Sequence, residues 1–197
     1  MYDSPYVRRV AVSLKLCGIA FEHGDWSVGA DFEHIRQYNP LVRVPTLVLD
    51  DGEVLLDSAA IVDHLDELHG RERALTPPAG ADRRAVLRVS SLMMGACDKG
   101  LQAAYHRNHT PVDRLHQPWV DDCMAQVRSA LLAVEAMVDP AAPYLMLGRL
   151  TQADITAFVA ERLARFGLSV DTATETPRLH AHARKLAEEP AFRSTEP

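Results

Sequence analysis

The run Arg43-Val44-Pro45-Thr46-Leu47, followed by Asp57-Ser58 just ahead of an apolar helical pattern, constrains this chain more than any other feature. Proline has no N–H to give a ladder, so it belongs at strand starts, edges and bulges. Here it precedes Thr46-Leu47-Val48-Leu49, a short β-rich run, and Asp51-Gly52 then signals a tight turn before Val54-Leu55-Leu56. An X-Pro bond prefers trans by only about 0.5–1 kcal/mol, so a cis peptide is open at Val44-Pro45, with the backbone N–H and C=O of Val44 facing outward. Asp57-Ser58 falls at the next strand-to-helix turn, where serine caps and free N–H groups attract a carboxylate. Together these features point to a site for a small peptide with a free carboxylate.

Around that core the pattern alternates. Ser4 is expected to cap a first helix with Pro5 at its first position; Val7, Val10, Ala11 and Leu14 share a face, and Gly18 supplies the stop. Residues 19–23 read as a strand and 31–38 as a short helix. The hairpin follows, and then a helix from Ser58 to Leu68. The stretch Thr76-Pro77-Pro78-Ala79-Gly80 reads as an interdomain linker. From Ala81 onward there is no strand pattern, and helices are expected over 82–107, 118–138, 151–166 and 177–188.

Read in order, Ser4-Pro5-Tyr6-Val7-Arg8-Arg9, Asn39-Pro40, Val44-Pro45, Asp51-Gly52 and Asp57-Ser58 resemble the glutathione S-transferase superfamily. Gly148-Arg149-Leu150-Thr151-Gln152-Ala153-Asp154-Ile155 resembles the buried helix start of that family's C-terminal domain. The resemblance implies an α/β plus all-α chain. A thioredoxin-like, glutathione-binding domain would occupy residues 1–72, residues 73–80 would form the linker, and an all-helical domain carrying the electrophile-site residues would occupy 81–197. The family's strand before the position of Tyr2 is largely missing from this chain. The expectation is that Met1 is an internal methionine and that the natural product begins upstream, which intact mass from the native source would test.

Composition sets the outer bounds. A chain of 197 residues, 47% hydrophobic and 24% charged, can bury a sizeable core. A net charge of -6 argues against nucleic acid, which needs clustered cations. No run approaches the roughly 20 apolar residues of a membrane helix, and Asp3, Arg8 and Arg9 interrupt any apolar signal segment. Cys17, Cys97 and Cys123 are an odd, unclustered set, pointing to reduced thiols in a cytoplasm rather than to disulfides or a metal site.

The resemblance also distributes roles. Ser4 would stand near the glutathione sulfur, where its hydroxyl and the helix dipole favour a thiolate; the same residue serves equally as a plain N-cap. Without a cysteine there, a mixed disulfide at this position is excluded. Tyr2 is an alternative hydroxyl, and Tyr6 is expected to pack against the second domain. Val44 would pair its backbone with the cysteinyl unit, with Pro45 setting the geometry. Asp57, where the family usually has Glu, would take the γ-glutamyl ammonium and Ser58 the carboxylate. Arg43 would meet the glycine carboxylate. His34, Gln37 and Asn39 are expected to face solvent. Asp98 could reach across a homodimer, although an ordinary surface acid is the plainer assignment.

The electrophile pocket would draw on Tyr6, Met94, Cys97 and Tyr105 of the long helix and its neighbourhood, with Met93 and Leu101 beside them. Such a stripe at helical spacing is usually core. Thr151 and Asp154 form a capping pair with a structural role, expected to be worth roughly 1–2 kcal/mol each. The implied activity is transfer of the glutathione thiolate to a small apolar electrophile, with thiol-dependent peroxide reduction open to the same site. A non-catalytic interaction module, or a glutathione-dependent isomerase or lyase of one metabolite, are the alternatives.

Overall fold

The computed structural model describes residues 1–70 and 72–197. Helix α1 (Pro5–Leu16) begins as its sequence dictates. Ser4 is extended and its hydroxyl accepts from Val7 N–H at 3.4 Å, Pro5 takes the first turn, and Gly18 turns the chain at φ +69°. A short α2 (Phe32–Arg36) follows, narrower than the expected 31–38. Strands β1 (Thr46–Val48) and β2 (Val54–Leu56) then pair antiparallel, Thr46 opposite Leu56 and Val48 opposite Val54. Gly52 at φ +90° closes their turn.

The expected strand at 19–23 does not form. Its burial alternates as a strand's would, with Ile19, Phe21 and His23 half-buried and Ala20 and Glu22 exposed. A strand exists only by pairing, however, and among the described residues the sheet holds β1 and β2 alone. The segment is held by one backbone bond, Ile19 N–H to Leu14 C=O at 2.9 Å, and by side chains: His23 stacks on Tyr2 at 4.1 Å, and Lys15 lies over the Phe21 ring.

Helix α3 (Ser58–His69) lays Ile61, Val62 and Leu65 against Val10 and Leu14 of α1. The other side of α1 packs Val12 against Ile155, Phe158 and Val159 of α6 (Gln152–Arg162). Every residue from Gln152 to Glu161 is buried, as fits a helix enclosed on all sides. Helices α4 (Gly80–His109) and α5 (Gln117–Glu135) complete the larger core with Val89, Met93, Val127 and Val134. The α6 pattern extends into a π turn at Leu163–Gly167, and α7 (Thr172–Glu175), α8 (Pro177–Ala187) and α9 (Pro190–Arg193) follow. This is a thioredoxin-like unit followed by a helical domain.

The segment expected as a linker is pinned. Leu75 and Thr76 are buried, their N–H groups donate to the Asp66 carboxylate at 2.7 and 3.1 Å, and Gln152 N–H donates to Leu75 C=O. The first turn of α6 shows why that helix starts where it does. Thr151 and Asp154 form a reciprocal capping box, and the Asp154 carboxylate also accepts from Leu145 N–H at 2.8 Å. No helix among the described residues is long and apolar enough to cross a membrane.

Candidate functional site

Three chain segments meet at one cleft of about 390 Å³, counting the part open to solvent. Helix α1 contributes Tyr6; the loop entering β1 contributes Asn39, Leu41, Arg43, Val44 and Pro45; the turn from β2 into α3 contributes Leu56, Asp57 and Ser58. The Val44–Pro45 peptide is cis. Neither the N–H nor the C=O of Val44 has a hydrogen-bond partner among the described residues, so both can receive an extended peptide.

The loop's shape comes from Asn39, which is 1% exposed rather than solvent-facing. Its amide donates to Arg43 C=O at 2.9 Å and to Thr46 Oγ1 at 3.1 Å, and its oxygen accepts from Leu41 N–H. His34 is half-buried with its ring edge on Trp26, and Gln37 is exposed. The Arg43 side chain is exposed at the rim.

At the α3 end the cap is Asp57, not Ser58. Asp57 sits at φ +71°, an unusual conformation for a residue with a Cβ, and one carboxylate oxygen accepts from Ala59 N–H at 2.8 Å. Ser58 is the first helical residue and is 3% exposed. The N–H groups of Ser58 and Ala60 have no partner among the described residues, so the first turn of α3 keeps two free donors at the positive end of its dipole, with Ser58 on the cleft wall.

Behind Ser58 lies a buried cation to which no sequence motif assigns a role. Arg9 is 4% exposed and donates to Ser58 Oγ and to Gln152 Oε1, each at 3.3 Å. Gln152 in turn donates to Ser13 Oγ at 2.7 Å, and Ser13 donates to Arg9 C=O. Tyr6, Arg9 and Ser13 fall at helical spacing, a polar stripe along one side of α1.

Tyr6 lines the cleft and also joins the two domains, its phenol donating to the Asp98 carboxylate of α4. Burial above all, then that hydrogen bond and the charges of Cys97 and Asp98, push the phenol up from its ordinary value; the Arg43 charge pulls the other way. Tyr6 therefore stays protonated, with its proton committed. Asp98 is used within the chain.

The other expected residues do not converge on this cleft. Ser4 caps α1 but is not on the cleft wall. Tyr2 and the neighbours of Ser4, Asp3 and Pro5, line a second hollow of about 840 Å³ on the same measure, with Arg8, Arg162 and Phe166. Cys97 is 1% exposed inside the helical core, and burial raises its thiol well above the ordinary value. It is a core residue, not a pocket wall. Met94 is half-buried between two core clusters, and Tyr105 is exposed beside His109. Of the four residues expected in an electrophile pocket, Tyr6 lines the cleft and the other three do not. No group of three or more His, Cys, Asp or Glu among the described residues could hold a metal ion.

A thioredoxin-like unit with a cis-proline loop beside a helix N-terminus, docked along α1 onto a helical domain, defines a glutathione-transferase class of fold. The family model for the glutathione S-transferase N-terminal domain matches residues 1–73. The uncharacterized GST-like protein YibF of Escherichia coli is 35% identical over 101 residues, a match covering 51% of this chain and only about half (49%) of that protein. Maleylacetoacetate isomerase of Pseudomonas aeruginosa is 29% identical over 213 residues, covering 100% of this chain and 93% of the relative. A glutathione transferase family member from Pseudomonas fluorescens, solved with bound glutathione, superposes with a TM-score of 0.86 at 28% identity, covering 100% of this chain and 96% of that one. Residues 1–73 thus match the glutathione S-transferase N-terminal domain, and the chain as a whole has the fold of a glutathione transferase family member.

Proposed function

We propose that this protein is a glutathione-dependent transferase that adds the thiolate of bound glutathione to a small apolar electrophile. The observation that carries this reading is the convergence of Arg43, Val44, Pro45, Asp57 and Ser58 from separate segments on one cleft. In it, Val44 offers its N–H and C=O to the cysteinyl unit, and Ser58 with its N–H takes the α-carboxylate. The Asp57 oxygen not used in capping takes the ammonium, and Arg43 takes the glycine carboxylate at the rim. Residues 1–72 act as the glutathione domain and 81–197 as the domain that supplies the electrophile side.

Ser4 caps α1 outside the cleft wall, and in this reading the cysteinyl sulfur extends from Val44 toward the α1 N-terminus, where Ser4 is the thiol-activating hydroxyl. Its oxygen accepts from Val7 N–H, which leaves its own proton free to donate to a thiolate near the α1 N-terminus. Tyr6 cannot do so while its proton is held by Asp98. Each unit by which the thiol pKa falls corresponds to about 1.4 kcal/mol of thiolate stabilisation. The thiolate then attacks the electrophilic carbon, the new S–C bond forms, and the displaced group leaves with the bonding electron pair. Catalysis comes from thiolate stabilisation and proximity. Peroxide reduction is open to the same thiolate.

The full-length similarity to maleylacetoacetate isomerase favours one second reading, in which the same bound thiolate adds reversibly to an unsaturated metabolite and isomerises it. We further propose a cytoplasmic homodimer, a compartment that suits the free thiols Cys17, Cys97 and Cys123.

The test is a glutathione titration across pH, following thiolate formation by ultraviolet difference absorbance, with Ser4→Ala in parallel. A saturable signal below the pH at which a free thiol ionises, about 8.5, and weakened in Ser4→Ala, is expected. Binding without thiolate formation would favour a non-catalytic glutathione-binding module. No binding would end the reading.

A further inference from the structure

We propose that Arg9 is the positioning residue for a ligand carboxylate at the α3 N-terminus, its buried positive charge acting through the Ser58 hydroxyl to hold and select the α-carboxylate of a γ-glutamyl group. This inference rests on the reading that the cleft takes glutathione. Arg9 is 4% exposed, yet its hydrogen bonds go to neutral groups, Ser58 Oγ and Gln152 Oε1. Among the described residues no carboxylate lies within ion-pairing distance of it. A buried cation without a counter-ion is expensive to keep, and proteins tolerate one where an anion arrives to complete it.

The acids that act on Arg9 are both engaged elsewhere. Asp57 is turned to cap Ala59, and Asp66 accepts from Leu75 and Thr76. Burial lowers the guanidinium pKa to about 10, with Asp57, Asp66 and Cys97 pulling it back up, so the group remains charged at neutral pH.

Ser58 connects this charge to the cleft. Its oxygen accepts from Arg9, which leaves its one proton to donate outward. A hydroxyl that accepts from a cation is a stronger donor, because chained hydrogen bonds polarise one another. The unpartnered N–H groups of Ser58 and Ala60 stand beside it. A carboxylate at this point therefore meets a hydroxyl, two backbone donors and a fixed cation one side chain further back. The cation's place is set by the helical domain, since Gln152 opens α6 and is itself held by Ser13 and by Leu75 C=O.

A purely structural arginine, tying α1 to α3 and α6, would predict something different, and ligand discrimination separates the two roles. Dissociation constants would be measured for glutathione and for 4-aminobutyryl-Cys-Gly, which lacks the γ-glutamyl α-carboxylate. The wild type should prefer glutathione by at least about 30-fold, and Arg9→Met should cut that preference by about tenfold, with Arg9→Lys keeping most of it. If Arg9→Met weakens both ligands equally and leaves the ratio unchanged, the inference is wrong and the glutathione site stands.

If the wild type does not bind glutathione, the reading beneath the inference fails and the inference goes with it. Should Arg9→Met not fold, the Arg9 Nε–H resonance in the wild-type protein, assigned through the backbone, gives the answer. It should move on saturation with glutathione and not with 4-aminobutyryl-Cys-Gly. Equal movement with both, or with neither, overturns the inference.

Discussion

Asp154 should prove the most costly single carboxylate to remove from this protein, and its environment sets the size of the effect. The side chain is fully buried. One oxygen accepts from Thr151 N–H and Thr151 Oγ1, each at 2.9 Å, and the other from Leu145 N–H at 2.8 Å. His182 Nε2 stands 3.2 Å from the carboxylate without an aligned hydrogen bond. Asp154→Asn keeps the shape but turns one acceptor into a donor facing a backbone N–H. Each buried donor left unpaired costs about 1–3 kcal/mol, so the backbone N–H and the amide hydrogen that now faces it come together to about 2–6 kcal/mol. The middle of that range is about twice or more the 1–2 kcal/mol expected of a cap alone. In a protein of this size the loss lowers Tm by roughly 4–24 °C.

Thr151→Ala is the internal control. It removes the hydroxyl that accepts from Ala153 N–H at 3.2 Å and leaves the carboxylate's two backbone bonds, so it should cost about 1 kcal/mol. Urea unfolding followed by circular dichroism measures both, provided the slope with denaturant is unchanged. If Asp154→Asn costs no more than Thr151→Ala, the carboxylate is acting as a cap and nothing else, and the network argument fails.

Three further outcomes are expected. Tyr6→Phe breaks the link to Asp98, an exposed acid that can turn to water, so stability should fall by only about 1–2 kcal/mol while glutathione thiolate formation persists; loss of the thiolate signal would transfer the activating role from Ser4 to Tyr6. Burial, opposed by hydrogen bonds from Thr76 and Leu75, raises the Asp66 pKa, so the folded state binds that proton more tightly than the unfolded chain does. Its stabilising effect is then fully present below the unfolded value and lost as pH rises through the folded one. The stability advantage of wild type over Asp66→Asn should accordingly shrink as pH rises above the ordinary carboxylate range, and an advantage that grows would reverse the sign of the argument. Asn39→Ala removes the three bonds that shape the loop entering β1, which should cost about 2–4 kcal/mol and weaken glutathione binding, read by calorimetry; unchanged affinity would mean that the loop holds its form without Asn39.

What could be read from the sequence was whatever local chemistry controls. Ser4-Pro5, Asp51-Gly52 and Thr151 with Asp154 mark their turns and helix starts because the residues that cap or reverse the chain lie within a few positions of the groups they satisfy. The segment at 19–23 shows the opposite case. Its alternation is correct and its side chains alternate in burial, but a ladder is a property of two segments, and periodicity within one says nothing about the second. Cys97 was misplaced for a related reason: a helical stripe tells which residues share a face, not whether that face meets a cleft or another helix.

Arg9 and Asn39 were hidden by composition statistics that place Arg and Asn at the surface. Both are buried because partners distant in sequence or in the same loop absorb their polar groups: Gln152 and Ser58 for Arg9, and Arg43, Thr46 and Leu41 for Asn39. The two residues frame the cleft from opposite ends, one shaping the loop that presents Val44 and the other standing behind Ser58. The motifs legible in the sequence therefore supply the groups that face a ligand, while the residues that fix those groups in place emerge only where α1, α3 and α6 come together. That division gives an order for mutagenesis. Variants of Asp57 and Ser58 should change which ligand is held, whereas variants of Asn39 should loosen every ligand together, because they move the loop that presents Val44 rather than a side-chain contact.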